Sequence, residues 1–298
     1  MAKKIKVAID AGHGSKTAGK RTPIGYREHY INVKSAYYCE QYLEDRGVEC
    51  VRIGWDDTNA KDDADVALST RQKQIKSAEC DASVSFHANA FKAIWNSAKG
   101  VETLIHITSS RRGDSERLAK LVQAELVKGT KQTDRGVKKQ SLAMCNCTAM
   151  GVDAAILAEI GFMTNKKEAE LMMSDAFCKE QGEDVARGVL KYYKLEDKKV
   201  SSTTTKKPVT KEPSTKKRIV DPAQGFKKSY AKTYTVTSSD GLNLRYKASA
   251  SNKEDIIVSI PKGKKVTCYG HYTKNGSTIW LLVQYGNYTG FVSKAYLK

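Results

Sequence analysis

His13 sits in Ala11-Gly12-His13-Gly14, directly after the apolar run 5–10, and His87 closes a second such run at 82–87. Two imidazoles at the carboxyl ends of two expected strands suit a metal site at the lip of a sheet, where ligands of open α/β sheets gather. A catalytic zinc takes three protein ligands and leaves one position open for water. The third ligand is to be sought among Glu28, His29, Glu102 and His106. Glu28 ranks first, because the loop 22–27 meets the first expected helix there, beside His13. Glu102 and His106 share one face of a strand, four residues apart, so only one of them could sit near the rim. Spacing does not settle the choice.

Metal-assisted hydrolysis also needs a proton carrier. Glu159, in Ala158-Glu159-Ile160-Gly161-Phe162-Met163, stands at the end of an otherwise apolar strand. A carboxylate there is costly to bury without a partner. Singly, Glu159 reads equally well as a cap or salt-bridge residue, and His13 as a turn histidine held by its glycines. Their joint placement with His87, at three strand ends, favours a site.

These residues must be positioned by the elements around them. Strand-like runs at 5–10, 50–54, 82–87, 100–108 and 154–160 alternate with helix-like segments at 28–46, 69–78, 115–128, 166–173 and 175–193. Gly47 suits the C-terminal end of the first helix, and Asn165 suits an N-cap. The alternation predicts an α/β domain over residues 1–195, a twisted mixed sheet flanked by helices. Residues 196–232 hold almost nothing to bury, which predicts a flexible basic linker. From Lys198 to Lys232, 11 basic residues face 2 acidic ones, about half of the net +18. Residues 233–298 show short β runs at 234–237, 242–245, 256–260, 265–269, 279–285 and 288–292, separated by turns such as Asp240-Gly241 and Asn275-Gly276. That texture predicts a small all-β barrel.

Composition narrows the class. The chain has 298 residues, 40% of them hydrophobic, enough for one substantial domain and a small one. The charge favours a polyanionic partner without choosing one. Seven cysteines at irregular spacing argue against a disulfide framework and for synthesis in a reducing cytosol. Cys145-Asn146-Cys147 lacks a second pair and is weak as a metal motif. The apolar stretch before Asp10 is too short for a signal-peptide core, so the expectation is cytoplasmic synthesis without export.

At the level of whole motifs the chain resembles the zinc-dependent N-acetylmuramoyl-L-alanine amidases of the Amidase_3 type. The matching blocks are Ile9-Asp10-Ala11-Gly12-His13-Gly14, Gly25-Tyr26-Arg27-Glu28 with Asn32, Arg71, the block 81–90, Gly100-Val101-Glu102-Thr103 and the block 156–165. They run in order through most of residues 5–194. The resemblance implies zinc held by His13, Glu28 and His87, with Glu159 as the catalytic carboxylate, and gives His29, Glu102 and His106 no ligand role. The C-terminal part resembles a bacterial SH3 (SH3b) domain through Gly241-Leu242-Asn243-Leu244-Arg245, Ile260-Pro261-Lys262-Gly263, Trp280-Leu281-Leu282-Val283 and the block 290–297. The Gly-Pro usual after the arginine is replaced here by Tyr246-Lys247-Ala248. Such modules bind cell-wall peptides or glycans, and Trp280, Tyr285, Tyr288 and Tyr296 are the aromatic candidates for that surface.

The expected partner is peptidoglycan, of a Gram-positive wall by the SH3b type. Without an export signal, the layout matches a phage or prophage endolysin that reaches the wall through a holin or on lysis; a host autolysin is close behind. A zinc endopeptidase cutting within the stem peptide is the nearest rival in chemistry. A basic nucleic-acid-binding protein lacks a recognition motif. A wall-binding protein without catalysis would not need an intact His13, Glu28, His87 and Glu159 set.

Overall fold

The computed structural model describes residues 4–198 and 220–298, apart from positions 18, 59, 61–62, 109–111, 222 and 287. The N-terminal part is built from β1 (Lys6–Ala11), α1 (Glu28–Glu44), β2 (Glu49–Ile53), α2 (Leu68–Ser77), β3 (Ala82–Asn89), β4 (Val101–His106), α3 (Arg112–Thr130), β5 (Asp134–Gln140), a short α4 (Cys147–Met150), β6 (Ala154–Phe162), α5 (Lys166–Met172) and α6 (Asp175–Tyr193). Its sheet runs in the order β2-β1-β3-β6-β4-β5. β1 lies parallel to β2 and β3, and β3 parallel to β6. β4 runs antiparallel to β6 and parallel to β5, which makes the sheet mixed.

Alternation along the strands divides the core between two faces. Val7, Ile9, Val84, Phe86, Ile156 and Ala158 pack on one face with Ile31, Leu118, Val122 and Val185 from α1, α3 and α6. Ala8, Ile53 and Ala155 face the other way, against Ile75 of α2 and Cys147 and Met150 of α4. The central strands are apolar on both faces because helices cover both. Gly47 adopts φ 83° just past α1, as a helix-terminating glycine should. The Asn165 side chain accepts from Lys167 N at 3.0 Å and Glu168 N at 3.3 Å, capping α5.

β5 is an element the sequence did not announce. Its residues, Asp-Arg-Gly-Val-Lys-Lys-Gln, lack an apolar alternation. It is an edge strand, and charges on an edge discourage pairing with another chain.

The C-terminal part comprises β7 (Gly225–Thr235), β8 (Leu242–Arg245), β9 (Ile256–Ile260), β10 (Lys265–Asn275), β11 (Thr278–Tyr285) and β12 (Tyr288–Ser293). All are antiparallel, in the order β7-β10-β11-β12-β8-β9. The expectation of a linker through Lys232 needs correction at its end. β7 begins at Gly225, and its Lys227, Lys228 and Lys232 are exposed to solvent while its backbone pairs with β10. Val220 and Ala223 are buried, and Ser174 Oγ donates to Val220 O at 3.3 Å. Residues 199–219, most of the expected linker, lie outside the described residues. Tyr26 meets Tyr269 edge-on at 4.8 Å and Trp95 meets Phe226 at 5.4 Å, so the β part packs against the loops of the α/β part.

All seven cysteines are free. No described helix is long and apolar enough to cross a membrane.

One buried ion pair ties the first strand to the second helix. Arg71, 2% exposed, donates to Asp10 Oδ1 at 2.6 Å and to Ala11 O at 2.7 Å, and it also donates to His13 O. Asp10 accepts a further bond from Ser85 Oγ. Replacing one partner strands the other charge in the core, which costs about 3–5 kcal/mol. Arg71→Met is therefore expected to lower the denaturation midpoint of metal-free protein sharply, with Asp10→Asn/Arg71→Met recovering part of the loss; a single variant within about 0.5 kcal/mol of wild type, the range of neutral surface changes, would refute this.

Candidate active site

Glu28 is the first residue of α1 and is 1% exposed. Its carboxylate lies between the two imidazoles. Oε1 is 2.8 Å from His87 Nδ1, and Oε2 is 3.2 Å from His13 Nε2. Backbone amides fix the carboxylate from both sides: Lys20 N donates to Oε2 at 2.6 Å and Ala88 N to Oε1 at 3.1 Å. Burial works against the charge of Glu28, but the bonds to His13 and His87 prevail and hold its carboxyl well below the usual range. Burial likewise disfavours a charged His87, and Glu28 reverses this and raises its pKa.

The two histidines come from loop and strand. His13 follows β1 in a left-handed conformation, φ 68°. The turn is held by Gly12 N donating to Phe86 O at 3.0 Å and by Arg71 on the His13 carbonyl. Gly12 has to be glycine: a Cβ there would lie 2.2 Å from His87 Nε2. The rings of His13 and His87 stand 4.9 Å apart at 77°. One donor atom from each of His13, Glu28 and His87 falls within 4.8 Å of the others, and among the described residues no other group of three or more His, Cys, Asp or Glu is so arranged.

Glu159 lies on β6, paired in register with His87 on β3 and with Glu102 on β4. Its Oε2 is buried and has no hydrogen-bond partner. Burial pushes its carboxyl up to about 7, against the attraction of His87. A carboxyl poised near neutrality can both take and give a proton.

The other third-ligand candidates are engaged elsewhere. His29 is buried, with Nδ1 2.8 Å from Gly12 O and Nε2 2.7 Å from Asp63 Oδ2. It braces the His13 turn from behind, a role shared by Asn32, whose Nδ2 donates to Gly12 O at 3.2 Å. Glu102 accepts from Asn89 at 3.0 Å, Arg135 at 2.6 Å and Lys138 at 2.5 Å. His106 Nδ1 takes the Thr108 amide at 3.1 Å, at the far end of β4. Because β4 runs antiparallel to β6, its carboxyl end points away from the rim. Spacing along one strand could not reveal that direction.

Among the described residues Cys145 and Cys147 belong to no cluster of three or more metal-ligating side chains. Cys145 Sγ approaches Leu104 O at 3.5 Å and Cys147 Sγ approaches Ser115 Oγ at 3.0 Å. In the β part, Trp280 is 7% exposed and packs in the core, so it offers little surface to a ligand. Tyr285 is half-buried, while Tyr288 and Tyr296 are 48% and 50% exposed. What sequence reading missed are the groups acting through backbone atoms, Lys20 and Ala88; no side-chain type signals such a role.

Residues 7–191 match the Amidase_3 family, N-acetylmuramoyl-L-alanine amidase, and residues 240–298 match the bacterial SH3 domain. The chain is 30% identical over 188 residues to YqiI of Bacillus subtilis (strain 168), an uncharacterized protein, covering 63% of this chain and 84% of that one. It is 29% identical over 245 residues to the endolysin of Bacillus phage SPP1, covering 81% of this chain and 83% of the relative. The N-acetylmuramoyl-L-alanine amidase from Clostridium difficile 630 superposes with a TM-score of 0.57 at 26% identity, over 64% of this chain and 97% of that structure. With its α/β part matched from end to end, the chain belongs to the N-acetylmuramoyl-L-alanine amidase family.

Proposed function

We propose that this chain is a zinc-dependent peptidoglycan amidase, with zinc held by His13, Glu28 and His87 and the proton carried by Glu159. The observation that carries the reading is the buried Glu28 carboxylate set between two imidazoles, with Glu159, whose Oε2 has no hydrogen-bond partner, on the strand beside His87. Two nitrogens and one oxygen suit zinc, and three protein ligands leave a position free for water or substrate. When bound there, zinc supplies Lewis-acid polarisation of the carbonyl and acidifies water.

The side chains divide the remaining work. Glu159 takes a proton from water as the oxygen attacks the carbonyl that joins muramic acid to L-alanine. It then returns that proton to the alanine nitrogen as the C–N bond breaks. Its raised pKa suits both transfers. The products are a glycan strand and a stem peptide with a free amino terminus. The C-terminal β domain brings the enzyme to the wall, with Tyr288 the broadest aromatic face among Trp280, Tyr285 and Tyr288. The likeness to a phage endolysin over 81% of the chain supports a role in host-cell lysis from within, after synthesis in the cytoplasm.

The deciding experiment is clearance of purified Gram-positive walls. Chelator-treated protein should lose activity and regain it with zinc, and each cleavage should expose an N-terminal L-alanine freed of muramic acid. New amino termini within the stem peptide, with muramoyl-alanine intact, would instead identify an endopeptidase. Glu159→Gln should lower kcat by about 10²–10⁴-fold while elemental analysis finds wild-type zinc. His13→Ala and His87→Ala should lose the metal. A fully active Glu159→Gln enzyme would end the role given to this carboxylate.

A further inference from the structure

A second cleft opens beside the triad, about 460 Å³ in volume, between the loop after His13 and the loop after β3. Lys20 and Arg21 line one wall and Lys92 the other, with Thr22 and Ala90 between them, and no acidic residue lines it. None of the three cations has an ion-pair partner among the described residues. The cleft starts at the triad itself, since the Lys20 amide is the donor to Glu28 Oε2 at 2.6 Å.

Both walls are fixed in advance. Arg21 and Arg27 form a β-bridge. Inside it, Thr22 N bonds Tyr26 O at 3.0 Å and Gly25 N bonds Thr22 O at 2.8 Å. Opposite, Phe91 N bonds Thr164 Oγ1 at 3.0 Å, and Asn96 N bonds Thr164 O at 2.9 Å. The fixed backbone sets where the exposed Lys20, Arg21 and Lys92 side chains start, so only those side chains have to order when an anion arrives.

The cavity onto which the triad imidazoles open differs. About 290 Å³ in volume, it is lined by His13 and His87, by Val66, Leu68 and Met144, and by Asp65 and the mutually paired Asp10 and Arg71. Asp65 would repel an anion. The sugar on the acyl side of the scissile amide is uncharged, whereas the peptide on its amine side carries carboxylates.

We infer that the cleft of Lys20, Arg21 and Lys92 is the stem-peptide subsite, and that it selects a free carboxylate on the residue following L-alanine. The inference rests on the amidase reading and adds a direction to it: peptide toward the cations, sugar toward Leu68 and Met144. An extended chain covers about 3.5 Å per residue, so the α-carboxylate of a γ-linked glutamate in that position reaches the near end of the cleft. A guanidinium binds a carboxylate in a two-pronged fashion, and an ammonium adds a point charge.

The test uses the full-length zinc-loaded enzyme and two soluble compounds that differ in one group. One is N-acetylmuramoyl-L-alanyl-γ-D-glutamyl-lysinamide with a free glutamate α-carboxyl, and the other carries that carboxyl as its amide. The wild type should show a kcat/KM at least fivefold higher for the acid, expressed mainly in KM. About 1 M salt, where the screening length is near 3 Å, should erase the preference. Arg21→Gln/Lys92→Gln should lose the preference, with kcat/KM for the acid falling at least fivefold more than for the amide; Lys20 is left in place because it adjoins the Glu28 carboxylate. Equal rates on both compounds in the wild type, or an equal fall on both in the variant, overturn the subsite and leave the amidase reading intact. Cleavage of walls but of neither compound also overturns it, by placing recognition beyond the second residue. A wild type that frees no L-alanine termini from walls overturns the amidase reading and the subsite with it.

Discussion

The Glu28 carboxylate is the group on which the rest of the site depends. It is almost fully buried, and a lone carboxylate in that position would take up a proton rather than stay charged. What keeps it ionised is a ring of donors: two imidazoles and the amides of Lys20 and Ala88. The donors come from two stretches of chain, His13 and Lys20 from the loop after β1 and His87 and Ala88 from β3, while Glu28 opens α1. The carboxylate therefore fastens together the turn after β1, the end of β3 and the start of α1, and it also orients the rings that would share a metal with it.

Support for that centre extends backward in layers. The His13 turn is left-handed and would relax if unbraced. Arg71 grips its carbonyl, and His29 and Asn32 converge on Gly12 O. Arg71 is itself held by Asp10, a charge buried in the first strand. A polar network of this kind stays ordered because each member would be costly to leave unpaired. Two buried oxygens at this centre have no hydrogen-bond partner, Asn32 Oδ1 in the brace and Glu159 Oε2 on the strand beside His87. An unpaired polar group inside a folded chain calls for an explanation, and a role in proton transfer is the one proposed for Glu159.

Much of this was legible in the sequence. The apolar runs at 5–10, 82–87 and 154–160 predicted three central strands that the fold contains, and the histidines His13 and His87 at the ends of two of them predicted where a site would lie. The less legible pieces share a physical cause. β5 has no hydrophobic alternation because it is an edge strand, and β7 hides in a lysine-rich stretch because its outward face is solvated. In both, pairing with a neighbouring strand decided the structure, and a neighbour's position is not written in local composition. Trp280 makes the same point in reverse: an aromatic residue suited to a sugar surface is buried in the hydrophobic cluster that the β part shares with the α/β part.

The sequence by itself determined which residues could do chemistry, because a strand's carboxyl end is set by local periodicity and only a few residue types bind zinc or carry protons. It also determined that the chain has an α/β part followed by a β part. It left the third ligand open among Glu28, His29, Glu102 and His106. In the fold only Glu28 of the four stands beside both imidazoles. The direction of β4 takes His106 away from the rim. Arg135 and Lys138 from the edge strand engage Glu102, and Asp63 draws His29 behind the turn. Glu28 remained, with Lys20 and its neighbouring cations placed beside it. Distances between residues far apart in sequence exist only once the chain has folded, and coordination depends on those distances.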